Sequence, residues 1–300
     1  MSATAVLEQR PPAPALAPSV ARPSWASAAL DDIAELATDC LRMEVETWPK
    51  PGLVSDVDCG SHVDMDVETF HRSIDALRPF LRGLAQAGAL GSDMKALRRI
   101  GVAAEDAMLV ATGGVNTHRG AIFGLGLLCA AAGAKAAGLS ALSHSLGQTV
   151  ASRWGDEIRG GVQSSHSHGQ EVWRRYGAGG ARDEAATGFP TLYGVGVPAL
   201  RMARAMAPDD EEAARVQACF ALIARLEDTN LLHRGGSEGL RFAQRRAQGF
   251  LDRGGVGTDD WRGRAHRIHR EFVARRLSPG GSADLLAMSL FVWIHESGAC

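Results

Sequence analysis

Runs of alternating β-branched residues are almost absent from this 300-residue chain, and that absence excludes a fold dominated by sheet. A bulk basic field is missing too. Thirty-two Lys and Arg stand against 34 Asp and Glu, for a net charge of −2, so non-specific nucleic-acid binding has no electrostatic basis and any anion recognition must be local. The five cysteines, Cys40, Cys59, Cys129, Cys219 and Cys300, form no Cys-x-x-Cys pair. That pattern fits reduced thiols in a cytoplasmic chain better than a disulfide framework or a zinc site. The longest apolar run, residues 121–134, falls short of the about 20 residues a bilayer-spanning helix needs. No membrane span and no signal peptide are expected.

What is present is helical periodicity. Residues 1–26, rich in Pro and Ala, read as a flexible tail, and 27–300 as one all-α domain of about ten helices. A first helix after Ser27 carries the stripe Leu30, Ile33, Ala37 and Cys40. Extending the stripe by four lands on Glu44, a carboxylate that is costly on a buried face unless paired or metal-bound. A second helix opens with Asp66 as its cap and meets Pro79, which should bend or interrupt it. Ser92 is expected to cap a third helix that Gly113-Gly114 stops, and Asn116 or Thr117 to open the central helix AIFGLGLL. Another helix covers about 143–158, followed by a long irregular stretch over 160–190. Helices after Pro198 and Pro208, over 237–251 and over 258–275, complete the body, and the spacing of His266 and His269 reads as a helix face.

Four glycine-bearing turns sit beside charge: PKPGLVSDVDCGSHVDMD (49–66), GGVNTHRGAIFGLGLL (113–128), DTNLLHRGG (228–236) and SPGGSADLLA (278–287). A helix that starts at such a turn directs free N–H groups and its positive dipole end outward, where an anion is stabilised. Together they suggest a phosphate-rich ligand. Lys50 lies between two prolines, and His118 and Arg119 stand at a helix start, where basic residues are unfavourable unless an anion offsets them. Arg182 and Arg234 are further candidate phosphate clamps. The bland readings are that Arg119 points to solvent or pairs with a surface acid and that Arg182 and Arg234 are structural ion-pair partners. For magnesium the oxygen donors are Glu44, Asp64, Asp228 and Asp284. Asp284 would otherwise simply favour a helix first turn, and Asp64 a loop hydrogen bond. For acid and base work the candidates are Glu44, His62, Asp64, His168 and Glu184, with no assignment among them.

The same four strings, in this order from about residue 28 to about 295, resemble the triphosphoribosyl-dephospho-coenzyme A synthases, including the form serving malonate decarboxylase and the form serving citrate lyase. The resemblance implies transfer of the 5-triphosphoribosyl group of ATP to the 2'-hydroxyl of 3'-dephospho-coenzyme A with release of adenine, with Mg2+ expected. The product would be the prosthetic-group precursor of an acyl carrier protein, handed on by a phosphoribosyl-dephospho-CoA transferase. On the matching strings, substrate contacts are expected from Lys50, Asn116, His118, Arg119, Asn230, Arg234, Gly235, Gly236, Ser278, Gly280, Gly281 and Ser282, with Arg182 beside them. SSHSHGQEV raises His168, otherwise a lone loop histidine.

Two other classes remain open at this point. A magnesium-dependent hydrolase of nucleotides or ADP-ribose-like compounds would use water in place of the 2'-hydroxyl. A helical nucleotide-binding scaffold would turn nothing over, although such a bundle has little need for so many special backbone positions beside charge. A homodimer is the base-rate assembly.

Overall fold

The computed structural model describes residues 24–161 and 180–298, and these contain eleven α-helices and no strand. The helices are α1 (Ser24–Glu46), α2 (Val67–Ala89), α3 (Met94–Ala111), α4 (Arg119–Ala136), α5 (Leu146–Gly160), α6 (Gly180–Ala186), α7 (Val197–Met206), α8 (Glu211–Arg225), α9 (Thr229–Asp252), α10 (Trp261–Ala274) and α11 (Gly280–Ser297).

Most helix starts follow the expected chemistry. Asp66 accepts the Thr69 N–H at 2.8 Å, Asp210 the Ala213 N–H at 2.9 Å, and Ser145 and Gln148 form a reciprocal capping box on α5. Four local expectations fail. Helix α2 runs through Pro79 without a break; the neighbours that bury Ile74, Leu77, Leu81 and Leu84 on its inner face outweigh the one backbone bond that proline removes. Asp93, not Ser92, caps α3 by accepting the Ala96 N–H at 2.8 Å. His118 occupies the cap position of α4 and makes no side-chain cap bond, while Asn116 Oδ1 accepts the Arg119 N–H at 3.2 Å. Residues 180–186 of the expected irregular stretch are helical.

Helix α4 is the centre of the molecule. Every residue from Leu125 to Ala134 is buried, so apolar side chains face all directions and the helix needs neighbours on every side. It packs against α2, α11, α1, α5 and α3. The close approaches use glycine. A Cβ at Gly88 of α2 would lie 1.8 Å from the Ala130 carbonyl oxygen, and one at Gly133 of α4 1.9 Å from that of Ala85. At 18 residues α4 is, by length and composition, the one helix among the described residues that could cross a bilayer; here 72% of it is buried inside the protein. The second half gathers around α8, which contacts α9, α7 and α11. Helix α11 touches α4, α1 and α8 and so ties both halves into one core.

Candidate active site

The first turns of α4, α9 and α11 meet the end of α1. Asp228, 1% exposed, caps α9: its Oδ1 accepts the N–H groups of Asn230 at 2.9 Å and Leu231 at 3.3 Å. Its Oδ2 accepts the N–H and hydroxyl of Ser282 on α11 at 2.8 and 3.0 Å. One carboxylate therefore clamps two helix starts together. Burial raises its pKa, and the four donated bonds work against that rise. The glycines of SPGG permit the junction, since a Cβ at Gly280 would lie 2.8 Å from Asn230 Nδ2 and one at Gly281 3.2 Å from Asp228 Oδ2.

Asp284 follows in the same first turns of α11 and faces α4, where a Cβ at Gly120 would lie 2.0 Å from its Oδ2. Its pKa stands well above the usual carboxylate range because of burial and the nearby charges of Glu44 and Asp228, against which the Ala121 N–H is the one compensating donor. Among the described residues no Lys, Arg or His forms an ion pair with it.

Glu44, 5% exposed, is paired. Lys50 Nζ, 1% exposed, donates to its Oε1 and to its backbone carbonyl, each at 2.5 Å. This is the partner that a carboxylate on the buried stripe of α1 requires. The lysine keeps one of its three protons free. His269 braces the turn that carries Lys50: Nδ1 lies 2.7 Å from the Lys50 carbonyl and 3.3 Å from the Gly52 nitrogen, and Nε2 lies 3.2 Å from Asp58. The 258–275 pattern gave no sign of this, because the contacts are made across more than 200 residues. His266, read as part of the same helix face, lies 5.1 Å from the Trp48 ring.

Beside this cluster stands a second array. Arg234 donates to the carbonyls of Ser61 and Arg276 and to His62 Nδ1, all at 3.3 Å. With Nδ1 accepting, Nε2 carries the proton and donates to Ser278 Oγ at 2.9 Å. Burial first, then Arg234, push the His62 pKa down to about 4. Its ring is thus neutral and occupied at both nitrogens. Asp64 is 60% exposed at its side chain, 3.8 Å from His62 Nδ1. Gly235 packs on Leu277, the residue before Ser278, and Gly236, at φ 60°, bends α9 just after the Arg234 turn.

The side chains of three further candidates are held by protein partners. Arg119 Nε pairs with Glu105 Oε2 at 3.0 Å. Arg182 donates to the carbonyls of Ile158 and Gly161 at the end of α5. Glu184 accepts the N–H and hydroxyl of Thr191. His168 lies outside the described residues.

The four candidate magnesium ligands do not form a preformed cage, and among the described residues no three His, Cys, Asp or Glu side chains do so. Asp228 spends both oxygens on protein donors and does not fit. Asp284 does fit: a carboxylate forced up in pKa, with one compensating donor, is relieved by a divalent cation, and Mg2+ commonly takes only one or two carboxylates with phosphate and water.

The model of the family described as ATP:dephospho-CoA triphosphoribosyl transferase, CitG, matches residues 30–299. The chain belongs to this family. It is 41% identical over 276 residues to the 2-(5''-triphosphoribosyl)-3'-dephosphocoenzyme-A synthase of Pectobacterium atrosepticum, covering 89% of this chain and 90% of that one. It is also 41% identical over 271 residues to a probable synthase of the same name from Pseudomonas fluorescens strain Pf-5, covering 89% and 92%. No solved structure matches the chain. The family match runs through all four glycine turns, including those that supply Lys50, Asp228, Ser282 and Asp284.

Proposed function

We propose that this protein transfers the triphosphoribosyl group of ATP to the 2'-hydroxyl of 3'-dephospho-coenzyme A and releases adenine, at the junction of α1, α4, α9 and α11. The observation that carries the reading is Asp284, an unpaired carboxylate facing the start of α4 in a family member 41% identical to a named synthase.

The reaction breaks the bond between C1'' and adenine and forms one from C1'' to the 2'-oxygen; the hydroxyl proton is lost and adenine leaves with a proton gained. Its transition state has oxocarbenium character, as in glycoside cleavage. Carboxylates beside the sugar stabilise that positive charge, and Asp284 and Glu44 supply them. The N–H groups of Gly120, Gly280 and Gly281 lie in helix first turns and have no acceptor within the helix, so these three are available for phosphate oxygens, while those of Arg119, Ala121 and Ser282 are taken by Asn116, Asp284 and Asp228. The remaining proton of Lys50 adds a donor there. Ser278, whose oxygen accepts from His62, keeps its own proton to donate, and it orients a substrate oxygen. Asp284 would hold Mg2+ together with the triphosphate, and the ion would neutralise phosphate charge. A product of this kind serves as a precursor for the prosthetic group of an acyl carrier protein.

The test is to incubate the purified chain with ATP, Mg2+ and 3'-dephospho-coenzyme A and to follow adenine alongside the mass of the coenzyme product. Adenine formed only with both substrates, with the matching mass gain, is the expected result. Adenine or phosphate from ATP alone would establish hydrolysis instead, and binding without turnover would establish a scaffold.

A further inference from the structure

His118 has one ring nitrogen engaged and one without a partner. The residue is 3% exposed, and its Nδ1 lies 2.7 Å from the hydroxyl of Ser73, a fully buried residue of α2. Thr117 donates its own hydroxyl proton to that Ser73 oxygen at 2.8 Å. With its oxygen accepting from Thr117, Ser73 has its own proton available for Nδ1, and a bond in that direction puts the ring hydrogen on Nε2. That Nε2 is buried and has no hydrogen-bond partner among the described residues. Phe70 holds the ring plane with an edge contact at 5.0 Å. Burial and then the Lys50 charge push the His118 pKa down to about 3, so the ring is neutral.

In that tautomer Nε2 is an N–H donor buried without an acceptor, which costs about 1–3 kcal/mol. The nearby acids offer no relief, since Glu44 is held by Lys50 and Asp284 faces Ala121. Lys50 beside the ring and the positive dipole end of α4, with the Gly120 N–H unengaged, favour a negatively charged acceptor. We propose that Ser73 and Thr117 form a hydroxyl relay that fixes His118 as the Nε2–H tautomer and presents that hydrogen to an oxyanion of the bound polyphosphate. Ser73 and Thr117 are positioning residues, acting through His118. The assignment rests on the site reading above, and it adds two residues to the expected substrate contacts: Ser73, outside the four glycine strings, and Thr117, within the second.

Nitrogen-15 NMR of the full chain with labelled histidine tests it. In the wild type, His118 should show a protonated Nε2 and unprotonated Nδ1, and inorganic tripolyphosphate should shift the Nε2 signal while adenosine does not. Ser73→Ala should mix the tautomers and raise KM for ATP about tenfold, the value of one hydrogen bond to a charged acceptor, with kcat changed less. Thr117→Val should do the same in part, without touching the core of α2, and Thr117→Ser should restore the wild-type signal and KM. A wild-type ring protonated on Nδ1, an Nε2 signal indifferent to tripolyphosphate, or unchanged KM in both Ser73→Ala and Thr117→Val would each overturn the relay. Because the tautomer is read without turnover, a chain that shows the expected signals but releases no adenine would sink the functional reading and not the relay.

Discussion

Removing Lys50 strands a carboxylate inside the core, whereas removing the charge of Asp284 relieves one. Lys50→Met leaves Glu44 without its partner and should destabilise the fold by about 3–5 kcal/mol. Asp284→Asn takes away a charge opposed by Glu44 and Asp228, so its thermal midpoint at neutral pH should rise while adenine release is lost. Thermal melts of the two variants beside the transfer assay check both signs; a fall in midpoint for Asp284→Asn would show that the carboxylate is satisfied in the free protein. Glu44 was legible at this scale because the α1 stripe runs into it. Its partner was not, since no periodicity says that a lysine six residues on will fold back. The bland reading of Arg119 matches the observed pair with Glu105.

At the scale of the helix, glycines of similar appearance have different duties. A Cβ at Gly88 would strike the backbone of α4, which cannot rotate away; Gly88→Ala should cost about 1–3 kcal/mol and leave the activity of the surviving folded fraction intact. A Cβ at Gly120 would strike the end of the Asp284 side chain, which can move. Gly120→Ala should therefore lose most turnover with a smaller shift in denaturant midpoint. Equal losses of stability in the two, with equal residual activity, would remove the distinction. The cap at Asp66 and the apolar stripe of α1 were readable because they depend on residues within a turn or two. Pro79 and Ser92 misled for the complementary reason, since packing around α2 and the neighbouring Asp93 decided those ends.

For the molecule as a whole, the decisive contacts are long-range: Asp228 to Ser282 spans 54 positions and His62 to Ser278 spans 216. The four strings told which segments carry charge beside glycine, but not which carboxylate would be consumed as a clamp and which left open. That division follows from α11 crossing both halves of the core and inserting its first turn between α4 and α9. The central claim is that these separate helix starts bind one polyphosphate. Amide hydrogen exchange, with and without ATP and Mg2+, reads it most directly. Simultaneous protection at 118–122 and 280–284, greater than at the far ends of α4 and α11, is the predicted result; protection confined to one of those segments, or found only elsewhere, would contradict the account.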